Sequence, residues 1–259
     1  MALLSSFEGL IRVATIAAYG ILAFKLWQTG LHRIYRLFFI YIAIRLARSL
    51  VLLPIPTDKT LYGTIFVVSL PFLWFLYVLV VLELYSLVLG NYKGIASLGR
   101  WALILALIIS VFVSGISLLP DLSNPAEKYP TLLTFFVIER GVVSSLAVFL
   151  LLISGFVAWY PVPLNRNTLI HCIVFSVYFL SMTMAVFIRN VTGDQITPGV
   201  NLALVIAHLL TLLVWIAFLN RAGESRKVLL RLQWRAEDEE RLVGQLNAIN
   251  STLLRAARR

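Results

Sequence analysis

"YGTIFVVSLPFLWFLYVLVVLELYSLVLG", residues 62–90, runs for 29 positions with one charged side chain, Glu83. A helix in water needs a polar face, and this stretch has none to offer. The hydrocarbon core of a bilayer is about 30 Å thick and takes about 20 apolar residues per helix to cross. The stretch therefore reads as a membrane span with length to spare, so it tilts or extends past the membrane surface. Pro71 lies inside it and removes one helical hydrogen bond, which a membrane helix tolerates and answers with a kink.

Working outward, residues 6–27, 34–54, 101–119, 131–159, 168–189 and 199–219 qualify in the same way, giving seven spans. Turn chemistry separates them: "PIPTDK", "GNYKG", "LPDLSNPAEKYP", "YPVPLNRN" and "NVTGDQITPG". The whole chain of 259 residues is 60% hydrophobic and 13% charged, against about 45–50% and 25% in soluble domains. An all-α, polytopic seven-span helix bundle follows, in a multi-pass integral membrane protein. The first span lacks a basic leader and carries Glu8 and Arg12 near its start, so it reads as a retained span.

Charge then sets direction. One side carries Lys25, Arg33 and Arg36, then Lys93 and Arg100, then Arg166 and the basic tail; the other carries Lys59 and Lys128. The positive side is cytoplasmic, which puts the N-terminus outside and the C-terminus inside. Residues 1–220 form the membrane domain, and 221–259 a cytoplasmic tail holding nine of the 22 Lys and Arg. In that tail Leu232, Leu242, Leu246, Ile249 and Leu253 recur at helical spacing, with "RAEDEER" between them. Two readings stand side by side: a coiled-coil helix for a signalling partner or second copy, and an amphipathic helix on anionic lipid. Basic residues beside spans report topology and lipid, and nucleic acid is not expected as a partner.

Charges inside spans are costly, at about 2.5–3.5 kcal/mol near the bilayer centre, and they seek partners in the bundle interior. "FFVIERGVV", residues 135–143, places Glu139 beside Arg140. Adjacent helical residues point about 100° apart, so the two do not pair with each other. At about 1.5 Å per residue, Glu139 lies about 12 Å below the outer surface, with Arg45 and Arg48 at about 13 and 9 Å. Arg45 and Arg48 share a helical face with Tyr41, and Arg12 reaches a similar depth. Glu139 is expected to pair with Arg45 or Arg48 across the bundle. The layer holds two acids, Glu8 and Glu139, against Arg12, Arg45, Arg48 and Arg140. That surplus of positive charge requires water or a bound anion, or else arginines that snorkel to headgroups from structural ion pairs. At the cytoplasmic end Glu83 and Arg36 come to one level, where they would pin two helices or act as a coupling latch.

Several chemistries drop out. No span interior carries a lysine for a retinal Schiff base. His171 and His208 differ in depth by about 10 Å and do not make a bis-histidine haem site. One cysteine, Cys172, excludes an intrachain disulfide and an all-cysteine metal site. No HExxH, GxSxG or P-loop is present, and no catalytic residue or cofactor is expected.

Seven spans, an outward N-terminus and a helix leading inward resemble the seven-transmembrane sensor regions of bacterial histidine kinases and diguanylate cyclases. The run "SLVLGNYKGIASLGRW", residues 86–101, also looks like stretches in small bacterial membrane proteins of uncharacterised role. The resemblance implies a bacterial inner-membrane location and a last span that continues into a signalling helix. In those sensors a catalytic domain follows; here the sequence ends at Arg259 without one. The expectation is a stand-alone, non-enzymatic receptor that binds an anionic or amphiphilic ligand through Arg12, Tyr41, Arg45, Arg48, Glu139 and Arg140. Alternatives are a small-anion transporter or channel, and a structural or assembly subunit of a membrane complex.

Overall fold

The computed structural model describes residues 2–56, 60–90, 130–160, 162–192, 197–228 and 236–256, with 92–112 in part. Six long helices build the bundle: α1 (Ala2–Gln28), α2 (Arg36–Leu52), α3 (Thr60–Val88), α4 (Pro130–Trp159), α5 (Arg166–Thr192) and α6 (Thr197–Phe218). Two further helices follow, a single turn α7 (Ala222–Ser225) and the tail helix α8 (Ala236–Ala256). Helical residues also occur between 93 and 112, but the expected span 101–119 lies largely outside the described residues.

Five of these helices are long and apolar enough to cross a membrane: α1, α3, α4, α5 and α6. The chain is an all-α integral membrane protein. α2, with 17 residues and three arginines, would reach about 26 Å, short of the hydrocarbon thickness. It is nonetheless an inner member of the bundle, packed between α1 and α3. Neighbours meet in the order α1–α2–α3–α4–α5–α6, and α6 closes back on α1.

The five apolar helices lack a polar face because they meet two apolar environments. Toward the centre lie Leu22, Phe38, Ile42, Val80, Leu84, Leu146, Phe175 and Trp215, all buried. On the outside Phe24, Phe72, Phe75, Leu152, Val177 and Leu210 are each more than half exposed. A soluble monomer rarely exposes such a belt; on a membrane bundle it is the surface that lipid covers. α3 continues through Pro71 without a break in its helical assignment.

The chain turns back on itself after α6. Residues Leu164–Asn165 and Lys227–Val228 pair as a two-residue antiparallel ladder, so the segment after Asn220 packs onto the start of α5. The tail helix also returns to the bundle. Leu246 is fully buried and joins the bundle's hydrophobic core. Asn250 Oδ1 accepts a hydrogen bond from the Gly94 amide at 2.8 Å. A Cβ on Gly94 would lie 2.5 Å from the Asn250 carbonyl oxygen, so only glycine lets the two backbones approach this closely. Five residues on, a Cβ at Gly99 would overlap the Tyr85 ring. The two glycines of "GIASLGR" thus make room for the tail and for Tyr85. The coiled-coil and lipid-surface readings left this third arrangement out: α8 docks on its own bundle, with Leu242, Leu246, Asn250 and Leu253 on the inner side and Ile249 exposed. Leu232 lies outside the described residues.

Candidate functional site

A cavity of about 320 Å³ opens at the end of the bundle where α1 begins and α2 ends. Arg12 of α1, Arg45 and Arg48 of α2, Tyr62 and Phe66 of α3, Tyr178 and Met182 of α5, and His208 of α6 contribute to its wall. Among the described residues no aspartate or glutamate lines it. Depth along the helices, counted from sequence, places Arg12, Arg45 and Arg48 in one layer, and the fold brings all three to one cavity. Glu139 and Arg140 are not part of the lining. The side chain of Glu8 lies outside the described residues.

Arg45 and Arg48 stand one helical turn apart and are held differently. The Arg45 guanidinium donates from Nε to the Tyr41 hydroxyl at 3.3 Å. Its Nη2 donates to the Tyr77 hydroxyl at 3.2 Å and to Tyr178 at 3.1 Å. Tyr77 and Tyr178 also bond to each other at 3.0 Å. Three helices, α2, α3 and α5, therefore each lend a neutral oxygen to one cation. The expected pairing of Arg45 or Arg48 with Glu139 is replaced by this tyrosine collar. A hydroxyl keeps its acceptor lone pairs without the cost of burying a second charge.

Arg48 has the opposite surroundings. Its guanidinium carbon lies 4.6 Å from the Phe66 ring centroid, a stacking that fixes the plane of the group. Its Nε and Nη2 are buried and have no hydrogen-bond partner. Those two nitrogens share one edge of the guanidinium, and their N–H bonds run parallel, at the spacing of two oxygens of one carboxylate or phosphate. On the α6 side, His208 Nε2 meets the Tyr19 hydroxyl, while Nδ1 has no partner. A buried polar atom without a partner costs about 1–3 kcal/mol. Two such groups stand on the wall of this one cavity.

Below the cavity the interior closes. Phe38 packs against Phe175 and Trp215 with ring centroids 5.7 and 4.9 Å away, and Phe175 meets Trp215 at 4.8 Å. His171 fits into the same layer, 4.5 Å from both Phe38 and Tyr35. All are buried, and they separate the arginine cavity from the opposite end of the bundle.

That opposite end holds the remaining expected residues. Glu83 does not simply face a guanidinium: its two oxygens accept the amides of Leu37 and Phe38 at 3.0 and 3.1 Å. These are orphan donors of the first turn of α2, and a carboxylate there also complements the helix dipole. Arg36 stands at the same turn and donates from Nε to the Arg33 carbonyl at 3.2 Å. Close by, Glu224 of α7 accepts from Asn165 at 3.1 Å, Asn167 at 2.7 Å and Tyr35 at 2.8 Å. Lys25 caps the end of α6 through the Ile216 carbonyl. Sequence reasoning missed the tyrosine collar and Glu224. The signal for the collar was the recurrence of tyrosine inside spans at positions 41, 77 and 178; for Glu224 there was none.

Among the described residues no group of three or more His, Cys, Asp and Glu is placed to hold a metal ion. No family model, curated protein or solved structure matches this chain.

Proposed function

We propose that this protein is a receptor-like, non-enzymatic membrane protein that binds an anion in the arginine cavity and reports occupancy through α8. The observation that carries the reading is the open Nε–Nη2 edge of Arg48, in a cavity that among the described residues holds three arginines and no carboxylate. A cation buried without partners is costly, and an anionic ligand removes that cost. The reading includes seven spans, with α2 and the 101–119 segment added to the five apolar helices. It takes the N-terminus as outside and the C-terminus as inside a bacterial inner membrane, so the cavity faces outward. No catalytic role, cofactor or nucleic acid enters it.

Two features favour reception over transport. Among the described residues a closely packed, buried aromatic layer of Phe38, His171, Phe175 and Trp215 lies on the way from the cavity to the other end. Among the described residues the tail docks through Leu246, which is buried, and a hydrogen bond between Gly94 and Asn250, contacts that a change in free energy can shift. Release of α8 would expose its apolar stripe to a cytoplasmic partner or a second copy.

Hydrogen exchange in residues 240–254, compared in nanodiscs for wild type and Arg48→Gln, tests the link. Receptor action predicts a change in tail protection when only the distant arginine is altered. Identical protection, with radiolabelled anion crossing proteoliposomes, would mean transport instead.

A further inference from the structure

The same cavity says more about its ligand than its charge. We infer that it takes a single-headed anionic amphiphile, a carboxylate or phosphate monoester on an unbranched apolar chain, with the head on the open edge of Arg48. The inference rests on the reading that the cavity binds an anion, and adds the chain and the residue that seats the head.

The choice of Arg48 over Arg45 follows from their partners. Arg45 already spends its Nε–Nη2 edge on Tyr41, Tyr77 and Tyr178. Seating a ligand there would break bonds that tie three helices together. Arg48 offers the same edge with no bond to break, and Phe66 holds its plane in place. Arg45 and Arg12 then add positive potential from the cavity wall without contacting the head by necessity.

The chain follows from size and lining. A cavity of about 320 Å³ has room for about ten water-sized groups at about 30 Å³ each. A bare carboxylate or phosphate fills less than half of that. The rest of the wall includes Ile16, Leu52, Phe66, Met182, Leu204 and Val205. Water in an apolar lobe lacks the two to four polar partners that hold it, whereas methylene groups gain from leaving water. Val205 of this wall is also partly exposed, so the apolar lobe is not sealed.

The test uses the full chain in phosphatidylcholine nanodiscs, with binding of radiolabelled decanoate measured by scintillation proximity and empty nanodiscs subtracted. Decanoate should bind saturably, and decyl phosphate should compete with it. Acetate, inorganic phosphate and decanol should compete at least about a hundredfold less well, since each lacks either the chain or the charge. Arg48→Lys keeps the charge but loses the fork, and should weaken decanoate about tenfold or more. This variant removes no hydrogen bond made by Nε or Nη2, and its melting temperature is measured beside the wild type. Met182→Trp fills the apolar lobe and should weaken decanoate while the protein still melts cooperatively. Competition by acetate or inorganic phosphate within a few-fold of decanoate overturns the chain requirement and leaves the anion reading standing. Equal binding by Arg48→Lys overturns the seat at Arg48. Absence of saturable binding by every probe, or equal competition by decanol, overturns the anion reading itself.

Discussion

Arg45 and Arg48 are separated by one turn of α2, and their different partners give them different roles. Arg45 is part of the framework. Tyr178→Phe removes one of its acceptors and one side of the Tyr77–Tyr178 bond, and should cost about 1–3 kcal/mol, read as a lower melting temperature in nanodiscs. Arg48 is a cation with two donors unmet. Arg48→Met in ligand-free protein should leave the melting temperature unchanged or raise it, since the variant no longer buries an unpaired charge. Thermal melting of delipidated samples checks both directions in one experiment. The layer of arginines was legible in the sequence because depth is a simple product of residue count and helical rise. The identity of their partners was not. Depth says nothing of rotation about the helix axis, and Glu139 is not among the residues that line the cavity. The search for counter-charges also passed over tyrosine, whose hydroxyl serves a guanidinium without any charge.

Helix ends and glycine contacts carry the interactions between elements. Glu83 on α3 closes the first turn of α2, so Glu83→Gln should cost about 0.5–2 kcal/mol, as the loss of a helix cap does. Its local signature is faster amide exchange at Leu37 and Phe38 with little change in α5. At the tail, Gly94→Val puts a side chain where the Asn250 backbone lies. Exchange across residues 240–254 should then rise at least about tenfold, while protection in α3 and α5 persists. The amphipathic stripe of the tail could be read from leucine spacing. Where that stripe docks could not, because the docking site is defined by a side chain that Gly94 does not have. Sequence patterns report what a residue presents, and a close approach depends on what is missing.

For the whole molecule, composition alone supplied the class. Five helices are apolar over a bilayer's thickness, and residues such as Phe72 and Leu152 are largely exposed among the described residues. α2 was the hard element for the same reason that it matters most: it gives up length and hydropathy to carry Arg36, Arg45 and Arg48. The N-out, C-in orientation predicts that a cysteine placed at the exposed Ser225 reacts with a membrane-impermeant maleimide only after cells are opened. The natural Cys172 is buried and gives a low background. Labelling of intact cells would invert the topology and turn the arginine cavity toward the cytoplasm.

The central claim is that Arg48 holds an anion in that cavity. Native mass spectrometry of the full chain, gently released from membranes, tests it most directly when wild type is run beside Arg48→Gln. The account predicts an adduct of fixed mass on the wild type that is absent from the variant, with both proteins folded. An adduct-free wild type, or the same adduct on both, would contradict it and leave the arginines as pins of the bundle.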